Sequence, residues 1–515
     1  MTVDKVTDSV YSRERVRKSL THFLLGRTFS AFVGFGLLLL LVRSLDIVEY
    51  GFYIASQAIL EIVGTMSSLG LAVAAQRYLP ELHNKSEGVS LYRLTIKLLF
   101  GRFVTLILAS LILFSLAEWI LALLKLEHLL LIFKVFLLVL IIENIARYID
   151  IIFDSLLLQG LTQISMIIRV GLRFFPLVIL VLWYEIELTL LHWIIIEFFA
   201  STVAVAWSCY KLYNFLNSFS KRYSKEKIDL NIKRYLKYSL PAFIAAVLYM
   251  LSSANSVKLF AANLLSAYSF ATFGFAISVA LMLQRYMPIF LLIGMIRPLF
   301  VVAKNHVNYQ IKLPKIAELV FKLNAFALLP IISIFWIFED SIAVLLSGGR
   351  YPEAGGFLIV FMLLLVMQAF RAIISMTAQA MEDAKAALIG TLLGIIGLSI
   401  GIILSYSVGG YGLCIGLIIS EVIFSAWVIK SLYNQNIVFE IDVKGYAKLI
   451  VSAVIPILIV QNLIPDSSYQ TLTELIGYSS LIILMYLIIN YYMKPFTTRE
   501  SSEVNKLLGK NIFIW

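Results

Sequence analysis

The chain has 515 residues, 61% hydrophobic and 14% charged, with a mean hydropathy of +0.92. A soluble domain would be about a quarter charged, so a soluble globular protein is excluded; apolar runs of about 20 residues, long enough to cross a bilayer as helices, recur along the whole length. The formal net charge of +11 would suggest nucleic acid in a soluble protein, but in a membrane protein basic loops on the cytoplasmic side account for it.

Fourteen spans are predicted, near 19–42, 51–76, 94–117, 129–157, 163–184, 188–210, 239–262, 266–296, 316–338, 354–380, 386–406, 410–430, 446–464 and 474–493. There is no cleavable leader with a small-residue cleavage site, so the first span is expected to stay in the mature protein. With the N-terminus inside, the inner segments and adjoining helix ends hold 30 Lys and Arg, and the outer ones hold only Arg43, Lys125, Lys258 and Arg350. That bias predicts cytoplasmic N- and C-termini in a multi-pass protein of the inner or plasma membrane. Cys209 and Cys414 then fall near opposite faces, and no disulfide is expected.

A long basic loop divides the chain. The expected organisation is an N-lobe at 1–216 with spans 1–6, a basic cytoplasmic linker at 217–238, a C-lobe at 239–434 with spans 7–12, a helix pair at 435–493 and a cytoplasmic tail at 494–515. Six spans per lobe make the lobes parallel repeats. The fold class is thus an all-α polytopic membrane protein, two six-helix lobes plus a C-terminal helix pair. Gly26, Ser30 and Gly34 line one face of the first span, and Gly390, Gly394, Gly397 and Gly401 one face of the eleventh. Small faces let helices approach closely in lipid, as bundle packing or as a sliding contact. The tail reads as a short interfacial helix.

Enzymatic chemistry finds little support. The histidines His22, His83, His128, His192 and His306 have no metal-ligand spacing. Neither a phosphate-binding Walker-A sequence nor a Gly-x-Ser-x-Gly elbow is present. The outer loops are about fifteen residues at most on these boundaries, too short to build the site of a membrane glycosyl polymerase or ligase. The chain is therefore expected not to be an enzyme, and to hold no metal.

Charges inside the spans carry the functional signal, because ionisable groups at membrane depth are costly and usually face an interior. Glu143, Arg147, Asp150 and Asp154 form one stripe of a helix, and Arg169 and Arg173 lie one turn apart on the next. A hairpin folding at Gly160-Leu161-Thr162 sets Asp154 against Arg169 and Asp150 against Arg173. Six charges that sum to zero suggest a locked two-helix unit, with Arg147 the member freed for substrate. Arg27, Arg147, Arg285 and Arg371 fall in the inner halves of their spans, while Arg102 is nearer an inner end, where snorkelling explains it. Arginines around a cytoplasm-facing cavity would bind phosphate oxygens bidentately. Glu61, an acid near the middle of the second span with no sequence-local partner, is the candidate coupling residue.

Several motifs resemble the polysaccharide-transporter (Wzx-like, O-antigen or oligosaccharide flippase) family of the multidrug/oligosaccharidyl-lipid/polysaccharide (MOP) exporter superfamily. Arg43-Ser44-Leu45, then Glu49-Tyr50-Gly51-Phe52-Tyr53, is similar to that family's opening, and Leu69-Gly70-Leu71 with Arg77 is similar to its next segment. Leu345 to Ala354 resembles the loop after its ninth span. Asp46 replaces a family glycine, and Asn255-Ser256-Val257-Lys258 stands where relatives often carry an Asp-Arg pair.

The resemblance implies a flippase that moves a polyprenyl-pyrophosphate-linked oligosaccharide from the cytoplasmic to the outer leaflet by alternating access, for surface polysaccharides such as lipopolysaccharide O-antigen. Arg27, Arg147, Arg285 and Arg371 become the expected pyrophosphate contacts. No cofactor is expected beyond H⁺ or Na⁺ as coupling ion. The expected partners are a lipid-linked anionic glycan, membrane lipids and polysaccharide polymerase or assembly proteins, and no nucleic acid. A lipid II flippase and an ion-coupled drug exporter of the same superfamily are the alternatives, with a glycosyl polymerase or ligase further off.

Overall fold

In the computed structural model, which describes residues 13–183, 187–223, 232–291, 300, 308–381, 383–464, 470–508 and 513–515, the protein is built from helices, with no strand among the described residues. Helices begin where the sequence supplies a cap. Asp46, the departure from the family glycine, accepts a hydrogen bond from the Val48 amide and starts the second helix. Ser266 does the same for the Ser269 amide at the start of the corresponding helix of the second half. An oxygen at this position satisfies an amide that the helix itself cannot.

The chain forms two compact units, Met1–Leu251 and Ser252–Trp515. The first contains α1 (Arg13–Ser44), α2 (Ile47–Met66), α3 (Leu71–Asn84), α4 (Gly88–Ser115), α5 (Ala117–Leu123), α6 (Leu130–Ser155), α7 (Gln159–Val178), α8 (Leu190–Arg222) and α9 (Ile232–Leu251). The second contains α10 (Ala254–Leu264), α11 (Ala267–Gln284), α12 (Pro288–Leu291), α13 (Tyr309–Ser347), α14 (Ala354–Ala380), α15 (Ala384–Val408), α16 (Gly410–Tyr433), α17 (Val443–Gln461), α18 (Leu472–Met493) and α19 (Thr498–Leu508). Thirteen candidate spans among the described residues are long and apolar enough to cross a membrane, and α1 adds a shorter apolar stretch, Phe29–Ser44.

Three predicted spans are broken, among them the eighth, read as 266–296, where α11 ends at Gln284 and α12 begins at Pro288. The second, read as 51–76, ends its first helix at Met66 and resumes at Leu71; between them Leu69 and Gly70 take φ of 45° and 83°. Leucine rarely adopts a positive φ, whereas glycine does so without steric penalty. The seventh, read as 239–262, breaks between α9 and α10 at an extended Ser253. Each of these last two breaks carries a serine pair, Ser67-Ser68 and Ser252-Ser253, a polar run too short to end a span by hydropathy. α9 packs on α2 and α3 within the first unit, although its spanning part was expected to head the C-lobe.

Part of the expected linker is also helical. α8 continues to Arg222, and its Phe215 and Phe219 rings pack on His83 at centroid distances of 6.0 and 4.9 Å. The Gly88 amide donates to the Tyr223 carbonyl at 3.1 Å. Linker residues 224–231 lie outside the described residues.

In the second unit the glycine face of α15 meets the backbone of α16. A Cβ on Gly401 would lie 2.6 Å from the Gly416 Cα and 2.9 Å from the Gly412 carbonyl oxygen. The C-terminal segment is anchored rather than merely lying on a surface. Lys322 of α13 is fully buried and donates to Asp442 at 2.6 Å and to Glu500 at 3.1 Å. Burial raises the Asp442 carboxyl, but the hydrogen bonds from Lys322 and the Gly445 amide outweigh it and hold it below the usual carboxylate range. Phe326 packs on Phe496, Phe513 and Trp515, and the Trp515 indole donates to the Leu487 carbonyl at 3.2 Å.

Replacing Gly401 by leucine should force α15 and α16 apart and cost about 1–3 kcal/mol through overpacking. Thermal unfolding in detergent measures it; an unchanged Tm would mean the two backbones are not in contact.

Candidate functional site

Glu143 lies at the middle of α6, about 20 Å from its first residue at 1.5 Å per residue. It is 2% exposed and accepts from three arginines: Arg147 Nε at 2.9 Å, Arg169 Nη1 at 3.1 Å and Arg173 Nη2 at 2.5 Å. Each arginine also reaches a second acid. Arg147 donates to Glu61 of α2 at 2.5 Å, Arg169 to Asp150, and Arg173 lies 3.6 Å from Glu197 of α8. Ser201 accepts from Arg173 at 2.9 Å and donates to Glu143 at 2.8 Å. Gln57 of α2 donates to Glu197 at 3.5 Å. Three helices thus meet at one carboxylate, and α2 joins them through Arg147. Removing one partner of a buried ion pair typically costs about 3–5 kcal/mol, so each bond constrains how the helices pack.

The predicted charge pairs are one turn out of register. Asp150 pairs with Arg169, not Arg173; Arg173 pairs with Glu143, and Asp154 accepts from the Thr162 hydroxyl at 2.7 Å. The turn explains the shift. α6 closes at Ser155, Leu157 takes a φ of 59°, and α7 begins at Gln159. Gly160, read as the turn, lies in the first turn of α7, where a Cβ would meet nothing within 4 Å. Leu157 supplies the left-handed residue of the turn, which the sequence places at Gly160-Leu161-Thr162.

Glu61 therefore has a partner, and that partner is Arg147. Their side chains are 38% and 35% exposed, both in the wall of a cavity of about 240 Å³ within the first unit. Arg102, Asn144 and Tyr148 also line it, and Phe243 of α9 contributes to the wall. The cavity lies at the break between α2 and α3, whose flanking residues Ser68 and Gly70 are in its wall. The described residues hold no cluster of His, Cys, Asp and Glu fit to bind a metal.

The other expected substrate arginines are not brought to this cavity. Arg371 of α14 is buried, donates to Glu421 of α16 at 3.0 Å and lies over the Phe424 ring at 3.7 Å. Arg285 follows α11 directly, is exposed and makes no ion pair among the described residues. The Arg27 side chain lies outside the described residues. Arg102, set aside in the sequence as a snorkelling residue, is instead 4% exposed and bonded inward to Gly64 O at 2.7 Å and Ser67 Oγ at 3.0 Å. Its signal in the sequence was the lack of any acid within a turn on its own helix.

Together the helices define a multi-pass membrane protein with the fold of the MOP-superfamily transporters. The lipid II flippase MurJ, in an inward closed conformation, is 14% identical and superposes with a TM-score of 0.66 over 95% of this chain and 99% of that one. An inward-facing multidrug resistance MATE family transporter of the MOP superfamily is 13% identical, with a TM-score of 0.59 over 78% and 94%. A MATE transporter of Vibrio cholerae is 17% identical, with a TM-score of 0.54 over 83% and 100%. No curated protein matches the sequence significantly. Residues 16–300, more than half the chain, match the family described as polysaccharide biosynthesis protein. The chain belongs to that family.

Asp150→Asn should destabilise the first unit by about 3–5 kcal/mol by leaving Arg169 without its second carboxylate. Adding Arg169→Gln should recover part of that loss in thermal unfolding, and adding Arg173→Gln should not. Recovery by Arg173→Gln alone would restore the register read from the sequence.

Proposed function

We propose that the protein is a flippase that moves a polyprenyl-pyrophosphate-linked oligosaccharide from the cytoplasmic to the outer leaflet by alternating access, for surface polysaccharide biosynthesis. The observation that carries this reading is an arginine-bearing cavity beside a broken helix in a chain of the polysaccharide biosynthesis family. Broken helices at membrane depth are tolerated where they line a cavity or are buried in protein, and transporters place their binding sites at such breaks. Guanidinium forks suit pyrophosphate oxygens. A drug exporter for cationic substrates would have little use for these arginines, and a glycosyl polymerase would need catalytic groups that the cavity wall does not offer.

Arg147 and Glu61 act as a pair in this reading. A substrate phosphate and the Glu61 carboxylate compete for one guanidinium, so protonating Glu61 favours anion binding at Arg147. That competition gives an ion gradient a handle on loading, with H⁺ as the coupling ion. In the second unit, Arg285 is that unit's own candidate anion contact, because its exposed side chain makes no ion pair among the described residues. Arg371 serves packing within its own unit through Glu421.

In proteoliposomes, translocation of a labelled polyprenyl-pyrophosphate oligosaccharide should fall tenfold or more with Arg147→Ala and several-fold with Arg285→Ala, at matched protein levels. Glu61→Gln should tighten binding and abolish its dependence on pH. Wild-type rates in both arginine variants would sink the anionic-substrate reading. Faster movement of lipid II than of oligosaccharide carriers would reassign the substrate.

A further inference from the structure

We propose that Arg102 is the standing anion receptor of the first unit's cavity, binding a phosphate or pyrophosphate group at the C-terminal end of α2. The identity of the lipid-linked substrate rests on the transport reading above; the anion site itself does not.

The arginines of the first unit differ in their partners. Arg147, Arg169 and Arg173 each lie against two carboxylates. Arg102 of α4 has no carboxylate partner among the described residues. Its hydrogen-bond acceptors are neutral: Gly64 O at 2.7 Å, Ser67 Oγ at 3.0 Å and Asn144 Oδ1 at 3.4 Å. The Tyr148 ring lies 5.9 Å from the guanidinium carbon. Its Nε is buried and has no hydrogen-bond partner.

A charge so placed is only partly compensated. Gly64 and Ser67 belong to the last turn of α2 and its cap. The C-terminal end of a helix is worth roughly half a negative charge, which leaves roughly half of the arginine's positive charge unanswered. Arg102 also lines the cavity. A buried cation without a full counter-charge costs several kcal/mol, and an anion entering the cavity removes that cost. Beside it, the Thr65 and Ser68 hydroxyls lie in the same wall and can donate to further phosphate oxygens. Arg147, held by two acids, is available only on competition with a carboxylate; at Arg102 an anion competes only with neutral acceptors.

The position links binding to shape. The acceptors that Arg102 holds lie at the start of the break that ends α2 and leads into α3. An anion drawing the guanidinium into the cavity loosens its hold on Gly64 and Ser67, so the break is freed when the site is loaded. The same bonds hold the break when the site is empty.

The experiment uses the full chain in detergent with inorganic pyrophosphate as probe, read by calorimetry. Wild type should bind it, and Arg102→Lys, which keeps the charge and loses the fork, should weaken binding tenfold or more. Ser67→Ala, which removes a capping bond and leaves the guanidinium, should bind within about threefold of wild type, the change expected for one neutral hydrogen bond. Ala72→Phe, which fills the cavity from α3, should also abolish binding, and it stands in if the lysine variant fails to fold. Undiminished binding in Arg102→Lys or Ala72→Phe, or no binding by wild type, would overturn the proposal. Polyprenyl pyrophosphate and phosphatidylglycerol micelles distinguish the sources of the anion: stronger competition by the first identifies a carrier-lipid site, and by the second a membrane-headgroup site. Intact pyrophosphate binding without glycolipid translocation would count against the transport reading alone, and intact translocation with Arg102→Lys binding as wild type against the Arg102 site alone.

Discussion

A single carboxylate organises the first unit. Glu143 has two oxygens and accepts from three guanidiniums and a serine hydroxyl, carried on α6, α7 and α8. Through Arg147 it is also tied to α2. No apolar contact fixes helix rotation as tightly, since a small rotation of α7 would carry Arg169 and Arg173 away from their acceptors together. In hydrocarbon, where water cannot replace a lost partner, that angular demand becomes a constraint on the whole bundle. The charges of this network face each other, and Arg147 and Glu61 also reach the cavity.

Within that body the functional asymmetry lies at the second span. Its first half is held by Glu61 to Arg147 and by Gly64 and Ser67 to Arg102. Asn144 donates to the Leu60 carbonyl at 3.4 Å, and Tyr148 donates to the Leu71 carbonyl at 3.2 Å, across the break. α6 therefore holds both sides of the discontinuity. Substituting Gly64 with any larger residue would drive its Cβ into the Asn144 side chain, so the close approach of α2 to α6 depends on that glycine. Polar bonds from α4 and α6 thus clamp a break that a continuous helix would not have.

The fold was largely legible because hydropathy and span length determine it. Leu130–Ser155, Ala354–Ala380 and Gly410–Tyr433 fall close to their expected limits. What hydropathy cannot reveal is a change of backbone direction within an apolar run. The break at Leu69 and Gly70 is marked only by Ser67-Ser68, too short a polar run to interrupt the span, and the hairpin turn uses Leu157 while a nearby glycine stays helical. The site was legible in composition and not in pairing. The charge stripe of α6 and the two arginines of α7 were plain from spacing, but a turn displaced by about four residues moved each partner by one helical step. Glu61 and Glu197 belong to the same network and were invisible as members, since neither has a charged neighbour in sequence. Arg102 was misjudged for the same reason in reverse: distance from a predicted span end says nothing about which way the side chain turns.

The two units put comparable charges to different use. Arg147 and Arg371 stand the same number of residues after the starts of their helices, Leu130 and Ala354. Arg371 donates to the buried Glu421 and lies over the Phe424 ring. Arg147 meets two glutamates, one buried and one half-exposed. A buried pair has no reason to exchange partners. An arginine shared between a buried acid and an accessible one does, because the outer bond can be replaced by any anion that reaches the cavity while the inner bond keeps the side chain in place. Exchange at fixed geometry is what distinguishes a binding residue from a packing residue, and by that measure the surroundings of Arg147 suit exchange better than those of Arg371.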